Sequence, residues 1–244
     1  MMIPISLSLG WFSGWLINYL ADVLPATRKF SQPNCHSCHQ SYAWLDYLFL
    51  GPCKSCAAKR SLRTLIVQFF MTIAALLLWV FPQPGFPFWL AFLILTYLTL
   101  VAVIDIEHRL VLHQVSLTGA VLGFGAGFTL HGLVPTLIGG AVGFGIMLLL
   151  YLLGEVYIRR KAKKTGIPTD EVALGFGDVN LSGVLGLILG WPAIIAGLMF
   201  AILAGGLVSL GIILWMLIRK QYQPFAAIPY APFLILGAAY LLFL

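Results

Sequence analysis

The sequence predicts an all-α integral membrane protein with about eight transmembrane helices and a small loop that carries four cysteines. Of the 244 residues, 61% are hydrophobic and only 9% are charged, whereas soluble domains carry roughly 25% charged residues. A mean hydropathy of +0.98 also leaves too little polar surface for an intrinsically disordered chain. The composition therefore excludes soluble and disordered proteins, and it makes the lipid bilayer the expected surroundings of the chain.

Eight apolar runs approach the roughly 20 residues that a helix needs to cross a bilayer. They lie approximately at 3–20, 64–81, 86–106, 114–131, 134–157, 176–191, 193–218 and 227–244. The first run has neither a basic segment before it nor a small-residue cleavage site, so we expect a retained helix and not a removed signal peptide. The fifth run is rich in glycines that are typical of close helix packing in membranes: Gly139, Gly140, Gly143 and Gly145.

All 14 Lys and Arg residues lie in alternate loops between these runs. The segment 21–63 holds six of them, 107–113 holds one, 158–175 holds five and 219–226 holds two. Because basic residues collect in cytoplasmic loops, the alternation predicts that these four segments are cytoplasmic and that both termini lie outside. The net charge of +6 comes from these loops and does not indicate nucleic-acid binding.

The first of these loops contains two C-x2-C motifs that are separated by fourteen residues: Cys35 with Cys38, and Cys53 with Cys56. This spacing is close to that of structural zinc sites with four cysteine ligands. Disulfides are disfavoured on the cytoplasmic side, so a structural zinc knuckle is the expected arrangement. An unmetallated loop and redox-active dithiols are the alternatives. His36 and His39 could replace a ligand, but they are more simply explained as solvated loop residues.

Only eight residues are acidic, and six of them are explained as solvated or locally paired groups: Asp22, Asp46, Glu107, Glu155, Asp170 and Glu171. Asp105 ends one apolar run and Asp178 begins another. Ionisable groups at such positions usually face a protein interior or a wet cavity. In the predicted topology both carboxylates lie at a similar shallow depth on the cytoplasmic side, so they could meet.

Two carboxylates that share a site cannot easily both ionise, so one could keep a proton while the other activates water. Gly175 and Gly177 would permit a close backbone approach or unusual torsions beside Asp178. On this interpretation the chain would be an aspartic hydrolase. The alternative is that both aspartates are interfacial helix-end residues, with Asp178 capping its helix.

In the order of its motifs the sequence resembles the type IV prepilin peptidases, the bacterial leader peptidases among the G-x-G-D membrane aspartyl proteases. The resemblance begins at Gly10-Trp-Phe-Ser-Gly14 and continues through the paired cysteine motifs. Asp105-Ile-Glu-His108 and Leu174-Gly-Phe-Gly-Asp178 are similar to the two catalytic segments, and Ile228-Pro-Tyr-Ala-Pro232 is similar to the closing helix. The similarity covers essentially the whole chain.

This resemblance implies an enzyme of the bacterial inner membrane that removes short basic leaders from type IV prepilins or pseudopilins at the cytoplasmic face. Asp105 and Asp178 would be its catalytic pair. Many members also methylate the new N-terminal residue with S-adenosylmethionine, an activity tied to the N-terminal half. Residues 1–63 would then be the methyltransferase-associated region and residues 64–244 the peptidase core. Ala57, where glycine is usual, and Gln68, where glutamate is typical, leave methylation open.

A small polytopic transporter or channel and a catalytically silent pilin-assembly factor are the competing functions. Transporters tend to place ionisable groups near the bilayer midplane and to contain repeated halves with interrupted helices. Neither feature is evident in this sequence. The retention of both aspartates in their motifs argues against a silent relative.

Overall fold

The structure is a computed structural model that describes residues 2–35, 37–38, 40–82, 85–165, 174–219 and 230–243, without the side chains of Met2 and residues 161–165. His36, His39, Asp170, Glu171 and Ile228, which the sequence analysis singled out, lie outside the described residues.

The described residues fold mainly into helices. The helices are α1 (Met2–Thr27), α2 (Trp44–Leu48), α3 (Leu62–Val80), α4 (Phe88–His108), α5 (His113–His131), α6 (Leu133–Thr165), α7 (Phe176–Leu189), α8 (Ala193–Ile218) and α9 (Ala231–Phe243). Within this described part the chain has no strand beyond an isolated bridge between Asn34 and Ser41. The all-α prediction is therefore confirmed.

A helix lies at each of the eight predicted apolar runs, and the short α2 is the additional one. Among the described residues, four helices are long and apolar enough to cross a membrane, namely α3, α4, α6 and α8, while α7 and α9 are shorter apolar helices. Many large apolar side chains on them are exposed, such as Leu207 and Ile218. Because water disfavours such a surface, it identifies the chain as a membrane protein.

The chain divides into two compact units, Met1–Ile104 and Asp105–Leu244. In the N-terminal unit α1 packs closely on α3, since a Cβ atom at Gly10 would lie 2.6 Å from the Cα atom of Thr72. Two buried amides join the same helices: Asn18 donates to the carbonyl of Thr64 at 3.1 Å, and Gln68 donates to that of Trp11 at 2.6 Å. The predicted functional boundary after residue 63 stays a prediction.

In the C-terminal unit α7 is the central helix, and it packs against α5, α6, α8 and α9. Its closest contact is with α6. A Cβ atom at Gly139 would lie 2.4 Å from the carbonyl oxygen of Gly186, and one at Gly143 would lie 2.4 Å from that of Ser182. Gly140 also lies against α7, whereas Gly145 faces open space. The packing interpretation thus holds for three of the four glycines.

Replacing Gly139 with Ala should destabilise the C-terminal unit, because the added methyl group meets backbone that cannot rotate away. Overpacking of this kind costs about 1–3 kcal/mol. Gly145→Ala is the matched control, since its methyl group would meet nothing within 4 Å. Thermal unfolding of the purified variants in detergent compares them, and equal melting temperatures would contradict this account of the α6–α7 contact.

Candidate active site

Asp105 lies in the last turn of α4, where the apolar run ends. The residue is only 5% exposed. The backbone N–H of Ala231, the first residue of α9, donates a hydrogen bond to this carboxylate. A helix N-terminus is a favourable position for a negative charge. The atom Oδ2 of Asp105 is buried and has no hydrogen-bond partner among the described residues, so one oxygen of this carboxylate is available to a further group.

Asp178 is the third residue of α7 and is also buried, with 8% exposure. Gly175 is the residue that caps this helix, with φ −72° and ψ 138°. The side chain of Asp178 reaches back to the backbone N–H of Gly175, the arrangement that an acidic residue makes in a capping box. Asp178 therefore does cap its helix, as the alternative interpretation expected.

The same carboxylate also interacts electrostatically with that of Asp105. The structure thus brings together the two aspartates that the topology placed at similar depth. Capping and pairing do not compete, because the backbone N–H of Gly175 orients the Asp178 carboxylate while the side chain stays close to Asp105. The catalytic roles of both residues stay a prediction.

The two glycines before Asp178 differ in what they permit. A Cβ atom at Gly177 would lie 2.6 Å from the Cβ atom of Val111, so no side chain fits there. At Gly175 it would lie 3.4 Å from Oδ2 of Asp178, which is an ordinary contact. Neither glycine adopts a positive φ. The close approach that Gly177 permits is therefore that of Val111 of the same chain. Neither Gly175 nor Gly177 is needed for an unusual backbone torsion.

Tyr230 is a neighbour of the pair to which the sequence analysis gave no role. It directly precedes α9, and its hydroxyl group interacts electrostatically with Asp178. Its ring packs on Phe233, with 6.2 Å between the centroids, and against Gly205 of α8. The only sequence signal was its place in the closing motif, directly before Ala231.

The four cysteines of the first loop converge on one point. Cys35 Sγ lies 3.6 Å from Cys56 Sγ, and Cys38 Sγ lies 3.6 Å from Cys53 Sγ. All four sulfur atoms lie within 4.8 Å of one another, and all four cysteines are free of disulfides. A tetrahedron with metal–sulfur bonds of about 2.3 Å has edges of about 3.8 Å. This cluster could therefore hold a metal ion.

The backbone of the loop favours the thiolate form of one cysteine in each motif. N–H groups of Cys38 and Ser37 donate to Cys35 and lower its pKa to about 6. N–H groups of Ser55 and Cys56 lower the pKa of Cys53 in the same way. Because thiolates are the species that bind metals, both turns are suited to ligation.

If Asp178 has the predicted catalytic role, replacing Gly177 with Ala should reduce the hydrolytic activity of the chain at least tenfold, because the methyl group pushes the start of α7 away from Val111. Gly175→Ala is the matched control and should retain most activity. The double variant Gly177→Ala with Val111→Gly should recover activity, since it removes the Cβ atom that the alanine meets. A Gly177→Ala variant as active as wild type would contradict this role of the contact.

Comparison with known proteins finds similarity to the type IV leader peptidases. Residues 91–210 match the model of the type IV leader peptidase family. The prepilin leader peptidase/N-methyltransferase of Pectobacterium carotovorum subsp. carotovorum is 29% identical over 223 residues, which cover 85% of this chain and 72% of that protein. No solved structure gives a significant match.

Two further relatives bear the same name. The protein of Aeromonas hydrophila is 27% identical over 197 residues, which cover 81% of this chain and 62% of the relative. That of Myxococcus xanthus is 26% identical over 215 residues, which cover 83% and 60%. The chain thus spans less than two thirds of the length of these two relatives. The segment that is similar to the type IV leader peptidase family, residues 91–210, includes both Asp105 and Asp178.

Proposed function

We propose that the chain is an aspartic endopeptidase that removes the basic leader from type IV prepilins or pseudopilins. The observation that carries this proposal is the buried pair of Asp105 and Asp178 inside the region that matches the leader peptidase family. A transporter would need its ionisable groups along a transport path. In this chain the two carboxylates lie instead at the end of α4 and near the start of α7.

The mechanism follows from two carboxylates that share one proton. The ionised aspartate takes a proton from water, and the resulting hydroxide attacks the carbonyl carbon of the scissile peptide bond. The protonated aspartate donates its hydrogen bond to the carbonyl oxygen and stabilises the negative charge that develops there. Transfer of a proton to the departing amine then breaks the C–N bond. The two aspartates titrate as a pair, so the proton belongs to the pair and not to one residue.

The residues around the pair hold it in place for this chemistry. The N–H of Ala231 orients Asp105, and the N–H of Gly175 orients Asp178. Each carboxylate thereby keeps an oxygen for water or for the substrate carbonyl, and Oδ2 of Asp105 is the clearest example. Fixed donors of this kind limit the motion of the catalytic groups.

Location and orientation are part of the proposal. The alternating basic loops support an inner-membrane protein whose catalytic and cysteine-bearing segments face the cytoplasm. A prepilin leader is basic and remains in the cytoplasm, so its junction with the apolar pilin helix would reach the membrane surface at that side. Both aspartates lie near helix ends, where the substrate backbone could be extended beside them.

The second proposed activity is N-methylation of the new N-terminal residue, which the relatives' name supports. S-adenosylmethionine would supply the methyl group, which moves to the amine as the C–S bond breaks and a proton leaves. We place this activity in the N-terminal region, residues 1–63. Cys35, Cys38, Cys53 and Cys56 would bind a zinc ion that stabilises this region, because four thiolates leave no open position for a substrate.

Asp105→Asn and Asp178→Asn should each reduce leader cleavage at least a hundredfold, because an amide can neither accept the proton nor hold it for the partner. Glu155→Gln is the matched control, since Glu155 pairs with the exposed Arg159 at 2.8 Å on α6. Membranes containing each variant at equal levels are incubated with a model prepilin, and leader loss is followed by mass. Cleavage by either Asn variant at the wild-type rate would refute the paired mechanism.

Zinc binding to the metal-free chain at pH 7 should release fewer than four protons. With its pKa lowered to about 6, the Cys35 thiol is already mostly ionised at pH 7, and it gains a proton as the pH falls through 6. Proton release should therefore rise toward four near pH 5, where zinc affinity falls. Calorimetry in buffers of different ionisation enthalpy counts the protons, and release of four at pH 7 would contradict the lowered pKa.

A further inference from the structure

The C-terminal unit contains a cavity of about 390 Å³ that is lined by α5, α6 and α7, and neither Asp105 nor Asp178 lines it. Its volume lies within the range of about 300–1,000 Å³ that is usual for small-molecule sites. Leu117 of α5 and Leu137 of α6 line the cavity and are themselves exposed. Because exposed leucines of a membrane protein face lipid, the cavity is continuous with the lipid-facing surface of the unit.

The polar residues of the cavity lie together at one end. His113 and Ser116 belong to the first turn of α5, and Asn180 lies near the start of α7. The two helix starts are neighbours, because a Cβ atom at Gly177 would lie 2.6 Å from the Cβ atom of Val111, which shortly precedes α5. The other lining residues are apolar side chains or glycines.

The opposite end of the cavity is apolar. Gly139 and Gly143 contact α7 in reverse order along that helix, so α6 and α7 run antiparallel. Leu137, near the start of α6, and Leu187, near the end of α7, therefore lie at the end away from Asn180. A cavity that changes from polar to apolar along its length suits an amphiphile.

Ser116 is the most informative residue of the polar end, because its hydroxyl group is buried without a partner. The residue is 6% exposed, and its Oγ atom makes no hydrogen bond with the described residues. Three other buried serines each donate to a helix carbonyl three residues earlier at 2.8–2.9 Å, namely Ser6, Ser13 and Ser182. An unpaired buried hydroxyl group costs free energy, so that of Ser116 is arranged for a further acceptor.

Two neighbouring features add hydrogen-bond donors to the same end. The side-chain amide of Asn180 offers two N–H groups. The cap residue of α5 is Leu112, which supplies no side-chain hydrogen bond. The first N–H groups of this 19-residue helix are therefore left for other oxygens, and the helix N-terminus favours negatively charged ones.

We propose that this cavity binds a diacyl phospholipid of the bilayer, with an acyl chain between Leu137 and Leu187 and with Ser116 donating its O–H to an ester carbonyl. The phosphate group would lie beyond Ser116, toward the uncapped start of α5. The order of tail, ester and phosphate matches the order of the lining from apolar to polar. Because Asn180 follows Asp178 by two residues, the bound lipid would pack against the helix that carries one of the two aspartates.

A pair of lipids tests the ester contact without any mutation. Native mass spectrometry of the full chain in detergent measures the affinity for a phosphatidylethanolamine with two ester-linked chains and for its diether counterpart with chains of the same length. The wild type should bind the ester lipid about fivefold more tightly, because the ether lacks the carbonyl that accepts from Ser116. Ser116→Ala should bind the two lipids equally.

A pair of variants tests whether the lipid occupies this cavity. Ala120→Phe fills the cavity that Ala120 lines and should weaken binding of both lipids at least tenfold. Val121→Phe is the matched control, since Val121 is 71% exposed and does not line the cavity. It should bind both lipids like wild type. The comparison of ester and ether in the wild type keeps the proposal testable if a variant fails to fold.

Three outcomes would overturn the proposal. Equal affinity of the wild type for the ester and ether lipids would exclude the Ser116 contact, and unchanged binding by Ala120→Phe would place the lipid elsewhere. Displacement of the lipid by an apolar helical peptide would identify the cavity as a peptide groove. The peptidase proposal is tested separately, because Asp105→Asn should abolish cleavage and leave lipid binding unchanged.

Discussion

The electrostatic interaction between Asp105 and Asp178 is the constraint on which the C-terminal unit depends. Ionised carboxylates are strongly disfavoured in hydrocarbon, so the pair requires an enclosure of protein and fixed hydrogen-bond donors. The helix ends supply both: Ala231 begins α9 beside one carboxylate, and Gly175 begins α7 beside the other. The glycine contacts between α6 and α7 then hold α7 at the centre of the unit. Packing far from the aspartates thus determines where Asp178 lies.

The N-terminal unit is organised around a different principle, in which aromatic rings connect a helix to the cysteine loop. Trp15 and Tyr19 of α1 stack at 6.0 Å, and Tyr19 contacts Trp44 and Tyr47 of the loop at 5.4 and 6.4 Å. Cys35 and Cys53 are buried in the same cluster. The loop is therefore packed against α1 even before a metal is considered. A metal ion would add four bonds to an arrangement that the rings already favour.

Several features of the fold could be predicted from the sequence because they depend on local patterns. Apolar runs of about 20 residues predict helices, and the C-x2-C spacing predicts that Cys35, Cys38, Cys53 and Cys56 meet. Pairing of Asp105 with Asp178 followed from counting loops, which gives depth but no distances. Site residues that only tertiary contacts bring into place could not be predicted from the sequence. Tyr230 lies beside Asp178 through tertiary contacts, and its place in the closing motif does not signal that neighbour.

Ala57 illustrates how a departure from the pattern that the resemblance implies has a local physical cost. The resemblance implies glycine at this position, whereas Ala57 has φ 52°, in the left-handed region. Its N–H still donates to the carbonyl of Cys53 at 2.8 Å, so the turn of the second cysteine motif is preserved. The strain of a left-handed alanine is of the order of 1 kcal/mol. The sequence difference therefore changes the stability of the loop more readily than its geometry.

The length of α7 bears on how a peptide bond could reach the aspartates. Its 14 residues extend about 21 Å, whereas the hydrocarbon core is about 30 Å thick. If the end at Gly190 lies at one membrane surface, the start at Gly175 lies several ångströms inside the other. Asp178 would then lie below the surface, where water enters only through a gap in the protein. An extended segment at the substrate's leader junction is narrower than a helix, so it could enter such a gap. The apolar substrate helix that follows the junction would remain beside the C-terminal unit. In that arrangement the depth of Asp178 would provide a physical reason for the proposed cleavage at the border between a polar leader and an apolar helix.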